Sequence, residues 1–311
     1  MASRKVIVFG PTGAVGSAAA RTAESLGAEV TLAMRDTAKT IPGLDGAKEK
    51  KGAFERTQAD LTKPDTVHDA VSKSGAKYAF IYLAFGMPDN MKSTIEALKS
   101  AGIELVVFLS SFTVRGDLGA IDPSDIIPYV HAQAELNLEE IFGADRFVAV
   151  RPGSFASNNL PYKAAIEKGE VKLWVPNAKL DNIVPEDIGT VCGTVLAKGP
   201  QDDQRAIYLY GPSLSTQNDT IMTLAKALGK DPKIKKADEQ EAYKMFTEER
   251  GMPPHLANYM IRQARKAAPE GSDYHVFGTR IEEEHMLNVQ NYSGRKATTL
   301  EEWAQQVFAT S

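Results

Sequence analysis

Short apolar runs alternate with amphipathic segments through the first half of the chain. Residues 5–9 are apolar after one lysine and show no polar alternation, which is typical of a strand buried on both faces. Similar runs predict strands at residues 29–34, 57–61, 78–85, 105–110 and 146–150. Helices are predicted between them, at residues 17–26, 65–74, 90–100 and 128–142. This alternation indicates βαβ units and a parallel sheet with right-handed crossovers.

The second half of the chain is less regular. Residues 153–182 are rich in loops, and one further strand is predicted at residues 206–210. Helices are predicted at residues 185–196, 215–228, 239–250, 254–266 and 298–308. We expect Ser215 to cap the second of these helices, and Thr298 or Thr299 to cap the last. This half has no glycine-rich turn of the kind that binds phosphate.

The composition is that of an ordinary globular protein, with 43% hydrophobic and 24% charged residues among 311. A formal net charge of −4 gives no electrostatic reason to expect a nucleic-acid partner, because phosphate binding requires a clustered positive surface. The one basic run, residues 233–236, is followed by Asp238, Glu239 and Glu241. We therefore expect a solvated helix end there and no nucleic-acid site.

The cysteine count and the signal and membrane patterns indicate where in the cell the protein is expected. Cys192 is the only cysteine, so an intrachain disulfide is impossible. The N-terminus shows no signal-peptide pattern, and no apolar stretch approaches the ~20 residues that span a bilayer. We therefore expect a cytoplasmic protein with no membrane partner. The histidines never fall at metal-ligand spacing, so we expect no metal site at His68, His131, His255, His275 or His285.

A glycine-rich turn, Gly10-Pro-Thr-Gly13-Ala-Val-Gly16, joins the first predicted strand to the first helix. A dinucleotide site needs a sharp turn at the first glycine, close approach to a pyrophosphate at the second, and tight helix–strand packing at the third. The helix N-terminus adds free amide donors. A plain tight turn is the alternative. The expected cofactor contacts here are Gly10, Thr12, Gly13, Ala14, Val15 and Gly16.

Residues after the second and third strands are expected to hold the adenosine end of the cofactor. NAD-binding chains carry an acidic residue after the second strand, whereas this chain has Arg35, followed by Lys39. A guanidinium can bind a 2′-phosphate, which predicts NADP(H). A ribose contact by Asp36 and a solvated Arg35 are the alternatives. Asp60, followed by Leu61, is placed to accept a hydrogen bond from adenine, and capping of the next turn is its alternative role.

Several segments together resemble the NmrA-like family of atypical short-chain dehydrogenases/reductases. The matching segments are G-P-T-G-A-V-G, M-R-D-T-A-K, Q-A-D-L, H-A-Q-A-E, R-P-G-S-F-A-S-N, V-P-E-D-I-G and T-L-E-E-W. Their order and spacing cover nearly the whole chain. The resemblance implies a Rossmann domain that prefers NADP(H) and a smaller C-terminal domain that covers the nicotinamide. The family contains NADPH-dependent quinone reductases, relatives of isoflavone reductase, and regulators that bind the dinucleotide without turning it over.

The expected fold is therefore α/β, a Rossmann-type doubly wound parallel sheet with a smaller, mainly helical C-terminal substrate domain. Residues 1–152 are predicted to form the NADP(H)-binding domain, completed by residues 183–212. Residues 153–182 and 213–311 are predicted to form the substrate-binding part.

The helix at residues 128–142 resembles the family's active-site helix in altered form. Short-chain dehydrogenases pair a tyrosine with a basic residue four positions later, and here Gln133 follows Tyr129. Gln133 can bond ribose hydroxyls but has no charge with which to lower the pKa of a phenol. His131 lies nearly opposite Tyr129, so it can donate a proton only if its own face looks into the cleft; otherwise it is structural. The candidate catalytic residues are Tyr129, His131 and Gln133.

The substrate cleft is expected outside the carboxyl ends of the parallel strands. The segments after the fourth and fifth strands supply Ala84, Phe85, Gly86, Ser110, Ser111 and Phe112. In relatives the segment that contains Phe155 covers the nicotinamide, so the resemblance implies a cofactor contact there. The expected substrate contacts are Phe85, Ser111, Phe112, Phe155, Tyr162 and Trp174, although each aromatic can equally be core. Arg151 is expected to tie its strand end to neighbouring elements.

The missing lysine argues against alcohol–ketone chemistry more than against reduction itself. Ketone reduction forms an alkoxide, which needs a positioned acid, whereas a quinone or enone gives a phenolate or enolate; a phenol has a pKa of about 10. The first hypothesis is an NADPH-dependent oxidoreductase acting on a hydrophobic conjugated small molecule, such as a quinone, an enone or a secondary-metabolite intermediate. The second is a non-catalytic NADP(H)-binding redox sensor with a protein partner. The third is non-redox chemistry supported by the bound cofactor.

Overall fold

A computed structural model describes residues 3–266 and 283–308. The strands are β1 (Lys5–Phe9), β2 (Glu29–Met34), β3 (Phe54–Gln58), β4 (Tyr78–Tyr82), β5 (Leu105–Leu109), β6 (Phe147–Pro152), β7 (Glu170–Leu173), β8 (Lys179–Leu180), β9 (Ala206–Leu209), β10 (Ser215–Thr216) and β11 (Lys233–Lys236). The helices are α1 (Ala14–Ser25), α2 (Gly46–Lys51), α3 (Pro64–Ser74), α4 (Lys92–Ser100), α5 (Ile126–Phe142), α6 (Lys163–Lys168), α7 (Pro185–Lys198), α8 (Gln217–Ala227), α9 (Glu239–Lys244), α10 (Pro254–Lys266), α11 (Asn288–Ser293) and α12 (Leu300–Phe308).

Seven of these strands form one parallel sheet in the order β3-β2-β1-β4-β5-β6-β9. Val8 of β1 lies opposite Leu32 of β2 on one side and Phe80 of β4 on the other. The strand order therefore reverses between β2 and β4, with β1 at the centre, and sheets of this kind bind ligands at the carboxyl ends of the strands beside such a reversal. Beyond β9 the described chain is mainly helical. The predicted α/β, Rossmann-type doubly wound fold is confirmed.

Apolar side chains cover both faces of the sheet. The cluster on one face includes Val8 of β1 and Val191 of α7, and the cluster on the other includes Phe108 of β5 and Leu138 of α5. A further cluster contains Trp303 of α12 and joins it to α8 and β7. The helices are thus packed on both faces, which leaves the strand ends as the place where polar chemistry can occur.

Two glycines of α7 let that helix lie directly against α1. A Cβ at Gly189 would lie 2.4 Å from the carbonyl oxygen of Val15, and one at Gly193 would lie 2.5 Å from that of Ala19. No side chain can be accommodated at such distances. This close packing fixes α1, and with it the glycine-rich turn at its N-terminus, against the sheet.

Two predicted strands differ in extent from the observed ones. The third strand was predicted at residues 57–61, whereas β3 is Phe54–Gln58, because residues 54–58 pair with residues 30–34 of β2. The prediction followed the apolar Ala59 and Leu61, which are buried but lie in the turn that follows the edge strand. The fourth strand ends at Tyr82, three residues before the predicted end.

The basic run at residues 233–236 is a strand, and the predicted helix end is wrong. This strand, β11, pairs in parallel with β7, and its Ile234 lies opposite Val171. Its charge is balanced across the pair, since Lys235 Nζ lies 2.7 Å from Glu170 Oε2. On β7, Lys172 Nζ lies 2.6 Å from Oε1 of Glu241. The apolar Ile234 and the cross-strand ion pair between Lys235 and Glu170 explain why this lysine-rich segment is extended.

The structure also identifies the caps of two helices and shows that one predicted helix is interrupted. Thr216, rather than Ser215, caps α8 by accepting a hydrogen bond from the Asp219 amide at 3.0 Å. Thr299 accepts one from the Glu302 amide at 3.2 Å and so caps α12. The helix predicted at residues 239–250 ends as α9 at Lys244 and continues as a π-helical turn, Met245–Glu249.

The division into residues 1–152 with 183–212, and residues 153–182 with 213–311, stays a prediction. Residues 267–282, which include His275, and residues 309–311 lie outside the described residues. Among the described helices, none combines the length and the apolarity that crossing a bilayer requires.

A buried ion pair joins four elements beneath the strand ends. The guanidinium of Arg151, on β6, donates to both carboxylate oxygens of Glu135 on α5 and, at 2.7 Å, to the hydroxyl of Tyr208 on β9. Ser110, directly after β5, donates to Oε1 of Glu135 at 2.5 Å. Although burial opposes it, the hydrogen bond and charge of Glu135 raise the pKa of Arg151 further. Arg151 thus ties its strand end to neighbouring elements, as predicted from the sequence.

Glu135→Gln should lower the free energy of unfolding by about 3–5 kcal/mol, because Arg151 would then keep a buried charge without its partner. Urea unfolding followed by circular dichroism measures this change. Glu139→Gln, an exposed position one turn further along α5, is the matched control and should change stability by at most about 0.5 kcal/mol. Equal losses in the two variants would contradict the role assigned to the pair.

Candidate functional site

The glycine-rich turn has the geometry that close approach to a ligand requires. Gly10 has φ +69°, and its Cα lies so close to the ring of Tyr82 that a Cβ would be 2.5 Å from Cε1. A Cβ at Gly16 would lie 2.4 Å from the carbonyl oxygen of Gly10, so α1 packs directly on the turn. At Gly13 the nearest atom to a Cβ would be 3.6 Å away, and the residue is exposed. The three glycines therefore provide the turn, the tight packing and the open backbone expected of them.

The first turn of α1 presents unpaired amides at this open backbone. Gly13 is the N-cap residue, and no side chain caps the helix or adds negative charge to its first turn. The Ser17 amide bonds the carbonyl of Gly13 at 2.9 Å, so the amides of Ala14, Val15 and Gly16 precede the helical hydrogen-bond ladder. Free amides and the positive end of the helix dipole suit a pyrophosphate.

The loop after β2 holds an exposed arginine at the adenosine end of this site. Asp36 is turned into the loop, where its Oδ1 accepts a hydrogen bond from the Ala38 amide at 3.0 Å. Arg35 is exposed and has no ion pair among the described residues, and Lys39 is also exposed. The loop itself is held by Arg56 of β3, which donates to the carbonyl of Lys39 at 2.8 Å and pairs with Glu49. The exposed side chains of Arg35 and Lys39 are therefore available to bind a phosphate, whereas the carboxylate of Asp36 is used in a hydrogen bond within the loop.

Asp60 performs the capping role that was its alternative assignment. Its Oδ1 accepts hydrogen bonds from the amide and the hydroxyl of Thr62, at 3.0 and 2.9 Å. These bonds, with a smaller contribution from the charge of Arg35, hold the pKa of Asp60 below its usual value despite partial burial. Leu61 is buried, and its carbonyl accepts a hydrogen bond from Thr94. An adenine contact by Asp60 stays a prediction.

A cleft opens over the carboxyl ends of β4, β5 and β6, with a volume of about 400 Å³. We call it the strand-end cleft. It is lined by Tyr82, Leu83, Phe85, Leu109, Ser110, Ser111, Phe112, Thr113, Ile127, His131, Pro152, Gly153, Ser154, Phe155 and Asn158. None of these described lining residues is Asp, Glu, Lys or Arg. Of the predicted residues, the fold brings Phe85, Ser110, Ser111, Phe112, His131 and Phe155 together here, whereas Ala84 and Gly86 lie beside Phe85 outside the lining.

His131 faces this cleft from α5, whereas Tyr129 and Gln133 do not line it. Both are half-buried on another side of the helix. Successive helical residues are rotated by about 100°, so positions 129 and 131 cannot share a face. His131 instead shares its face with Glu135, one turn later, whose ion pair with Arg151 is buried. The helix face of His131 therefore looks into the cleft, which is the condition for this side chain to act there.

His131 is a neutral imidazole in this position. Its Nδ1 lies 2.7 Å from the carbonyl oxygen of Ile127, which can only accept, so Nδ1 carries the proton and Nε2 is an acceptor. The ring is 9% exposed and lies against Phe85 and Phe108, with ring centroids 6.2 and 6.4 Å away. Burial lowers the pKa of His131 to about 4, against the smaller opposing effect of the Ile127 carbonyl. At neutral pH this side chain accepts hydrogen bonds from ligands and holds no proton to donate from Nε2.

Tyr162 and Trp174 line a second space rather than the strand-end cleft. This space, which we call the aromatic cavity, has a volume of about 110 Å³. It is lined by Ser154, Phe155, Asn158, Asn159, Tyr162, Leu173, Trp174, Val175, Leu180, Asn182, Gln217, Ile221, Ala242, Met245, Phe246, Arg250, Met260 and Ala264. Ser154, Phe155 and Asn158 line both spaces and form a shared wall.

Tyr82, Arg56 and Arg250 were not singled out from the sequence. Tyr82 lies on Gly10 and lines the strand-end cleft, but the sequence placed it inside the fourth predicted strand, residues 78–85, whereas the observed strand ends there. Arg56 and Arg250 had no sequence signal, because each acts through a loop or cavity assembled from distant residues. No group of three or more His, Cys, Asp or Glu within residues 3–266 and 283–308 is arranged to hold a metal ion.

The neutrality of His131 predicts a pH-dependent stability. An unfolded histidine has a pKa of about 6.5, so between pH 6.5 and 4 the unfolded state binds a proton that the folded state excludes. The folded state is therefore destabilised as the pH is lowered through this window, by about 3 kcal/mol for a pKa difference of this size. His131→Gln, which keeps a donor for Ile127, should lose less stability than the wild type between pH 7 and pH 4. Urea unfolding at both pH values measures the difference, and identical losses would show that His131 is not neutral.

Comparisons with known proteins agree with this geometry. A family model described as NAD(P)H-binding matches residues 10–193. The "nitrogen metabolite regulation-like protein bik4" of Gibberella fujikuroi is 37% identical, and the match covers 96% of this chain and 95% of that protein. The NAD(P)H azoreductase of Xenophilus azovorans is 27% identical over 96% of each chain.

Among solved structures, the NADPH-dependent quinone oxidoreductase QOR2 of Escherichia coli, complexed with NADPH, has the same fold, with a TM-score of 0.73. It is 17% identical and is matched over 97% of this chain and 99% of its own. The prediction of a nicotinamide dinucleotide cofactor is confirmed at the level of NAD(P)H binding. The chain belongs to the NAD(P)H-binding family, and its predicted resemblance to the NmrA-like proteins is confirmed.

Proposed function

We propose that the protein is an NADPH-dependent reductase of a hydrophobic, conjugated small molecule, such as a quinone, an enone or another secondary-metabolite intermediate. The observation that carries this proposal is the chemistry of the strand-end cleft. Its wall is built from Phe85, Phe112 and Phe155 with a neutral His131, and its lining has no charged side chain. Such a wall suits a flat apolar molecule.

The cofactor, when bound along the glycine-rich turn, supplies a hydride. The chain supplies the surface on which the acceptor is oriented. Ser111 and Thr113, whose hydroxyl oxygens lie 2.8 Å apart, both line the cleft and can donate to a ligand oxygen. His131 Nε2 can accept from a ligand hydroxyl but cannot protonate an alkoxide. A phenolate or enolate needs no strong acid at neutral pH, since its own pKa is about 10 in the phenol case.

Substrate selectivity tests this proposal. With the wild-type protein we expect oxidation of NADPH, followed by absorbance, in the presence of 1,4-naphthoquinone or a conjugated enone. Cyclohexanone, an ordinary ketone, should give no detectable rate. His131→Gln should keep quinone turnover within about tenfold, because proton transfer typically contributes 10²–10⁴-fold where it is used. Bound NADPH with no turnover of any conjugated acceptor would exclude the reductase.

A non-catalytic NADP(H) sensor is the second candidate. Two observations favour it: Gln133 stands where a lysine is common in the resembling family, and the bik4 relative is named for nitrogen metabolite regulation. A protein partner of this chain should then bind with affinities that differ between the NADP⁺-loaded and NADPH-loaded forms. Equal affinity for both forms would reject the sensor, because a ligand shifts an equilibrium only by its differential affinity.

Preference for NADPH over NADH is proposed to depend on Arg35. Arg35→Ala should weaken NADPH binding about ten- to a hundred-fold, since hydrogen bonds to charged groups contribute about 1.5–3 kcal/mol. NADH binding should hardly change, because its 2′-hydroxyl carries no charge. Titration calorimetry measures both, with Arg35→Ala/Lys39→Ala showing how far Lys39 compensates.

Arg146→Ala is the matched control, since Arg146 is an exposed arginine just before β6, four strands away from β2 in the sheet. It should leave both affinities unchanged. A wild type that prefers NADH, or an Arg35→Ala variant that weakens both cofactors equally, would reject this role and leave Asp36 as the ribose contact.

A further inference from the structure

The aromatic cavity is lined by the rings of Tyr162, Trp174 and Phe246. The indole Nε1 of Trp174 makes no hydrogen bond with the described residues, but it has almost no accessible surface, so it does not open onto the cavity. The cavity is many times larger than the roughly 10–15 Å³ that admits a water molecule, so there is room for a ligand among the rings.

Arg250 adds a positive charge to the same cavity. It is half-buried and makes no ion pair with a carboxylate among the described residues. Its guanidinium carbon lies 4.6 Å from the ring centroid of Tyr162 and 5.4 Å from that of Phe246. The rings hold the guanidinium by cation–π attraction while leaving its fork of N–H donors unused. Among the described residues that line the cavity there is no aspartate or glutamate, and Arg250 is the one charged side chain.

The local backbone is unusual at this point. The π-helical turn Met245–Glu249 directly follows α9, and Arg250 is its C-terminal cap. π-Helical turns are rare and frequently occur at functional sites. This one places Met245, Phe246 and Arg250 on the cavity wall, which a continuous α-helix would space differently.

We propose that the aromatic cavity binds an aromatic carboxylate or phenolate. Its ring would lie among Tyr162, Trp174 and Phe246, and its negative charge would accept hydrogen bonds from Arg250. Arginine pairs with a carboxylate through two parallel hydrogen bonds, which makes this charge-assisted contact both strong and directional. The ligand would balance the charge of the guanidinium, which has no carboxylate partner among the described residues.

The shared wall extends this inference to the proposed reductase. Phe155 separates the strand-end cleft from the aromatic cavity, and Ser154 and Asn158 line both. If the protein acts as the proposed reductase, its substrate would be a conjugated molecule that extends from the cleft past Phe155 and places an acidic aryl arm in the cavity.

Binding of 2-naphthoate against 2-naphthamide tests the inference without any turnover. The two molecules have nearly the same shape, and only the acid is charged. In titration calorimetry of the NADP⁺-loaded wild type, 2-naphthoate should bind about ten- to a hundred-fold more tightly, as one charge-assisted pair predicts. Arg250→Met should abolish this difference, whereas Lys244→Met, an exposed cation at the end of α9, should keep it. Equal binding of both probes by the wild type, or no binding, would overturn the proposal.

The indole signals locate the bound molecule. The chain has only two tryptophans, so its amide–proton correlation spectrum contains two indole N–H peaks, which Trp174→Phe assigns. Adding 2-naphthoate should move the Trp174 peak and leave the Trp303 peak in place, because Trp303 is packed in the cluster under α12. An unmoved Trp174 peak would place the probe elsewhere and reject the cavity as its site. If the acid binds there while no conjugated acceptor oxidises NADPH, the reductase fails and the anion site stands.

Discussion

The buried pair between Glu135 and Arg151 determines how the helix α5 faces the rest of the molecule. An uncompensated charge in this position would be costly, so Glu135 must point at the guanidinium between β5, β6 and β9. His131 lies one turn earlier on the same face and is thereby turned into the strand-end cleft. Tyr129 and Gln133, at other angles around the helix, are turned away from it. The choice of the polar α5 side chain that lines the cleft thus follows from an ion pair, Glu135–Arg151, whose members do not line it.

The cleft that results has a consistent chemical character. Its histidine is neutral because it is buried among aromatic rings and because the Ile127 carbonyl takes its one proton. The remaining polar groups of the lining are hydroxyls, an amide and backbone. Such a surface suits a flat conjugated molecule and offers no strong acid. The adjoining aromatic cavity adds one cation, Arg250, among the described residues, and Phe155 lines both spaces.

The cofactor half of the site depends on close backbone packing. Gly189 and Gly193 let α7 approach α1, and Gly16 lets α1 approach the turn at Gly10. Each of these contacts leaves no room for a Cβ, so the amides at the start of α1 are held at a set distance from the strand ends. The loop that carries Arg35 is held separately, by Arg56 and its pair with Glu49. The glycine-rich turn and the loop that carries Arg35 are therefore supported by different parts of the fold.

The sequence by itself determined the sheet, the glycine-rich turn and the exposed arginine after β2, because unbroken apolar runs and glycine spacing are local signals. It also marked Arg151 as a structural tie. It misplaced β3 and the strand β11, since the polar β3 is an edge strand and Lys235 of β11 pairs with Glu170, an acid distant in the chain. Only the tertiary structure decided that His131 enters the cleft, that Tyr162 and Trp174 line a separate cavity, and that Arg250 joins them. Those outcomes depend on which face of a helix is buried and on side chains far apart in sequence, and no local pattern encodes either.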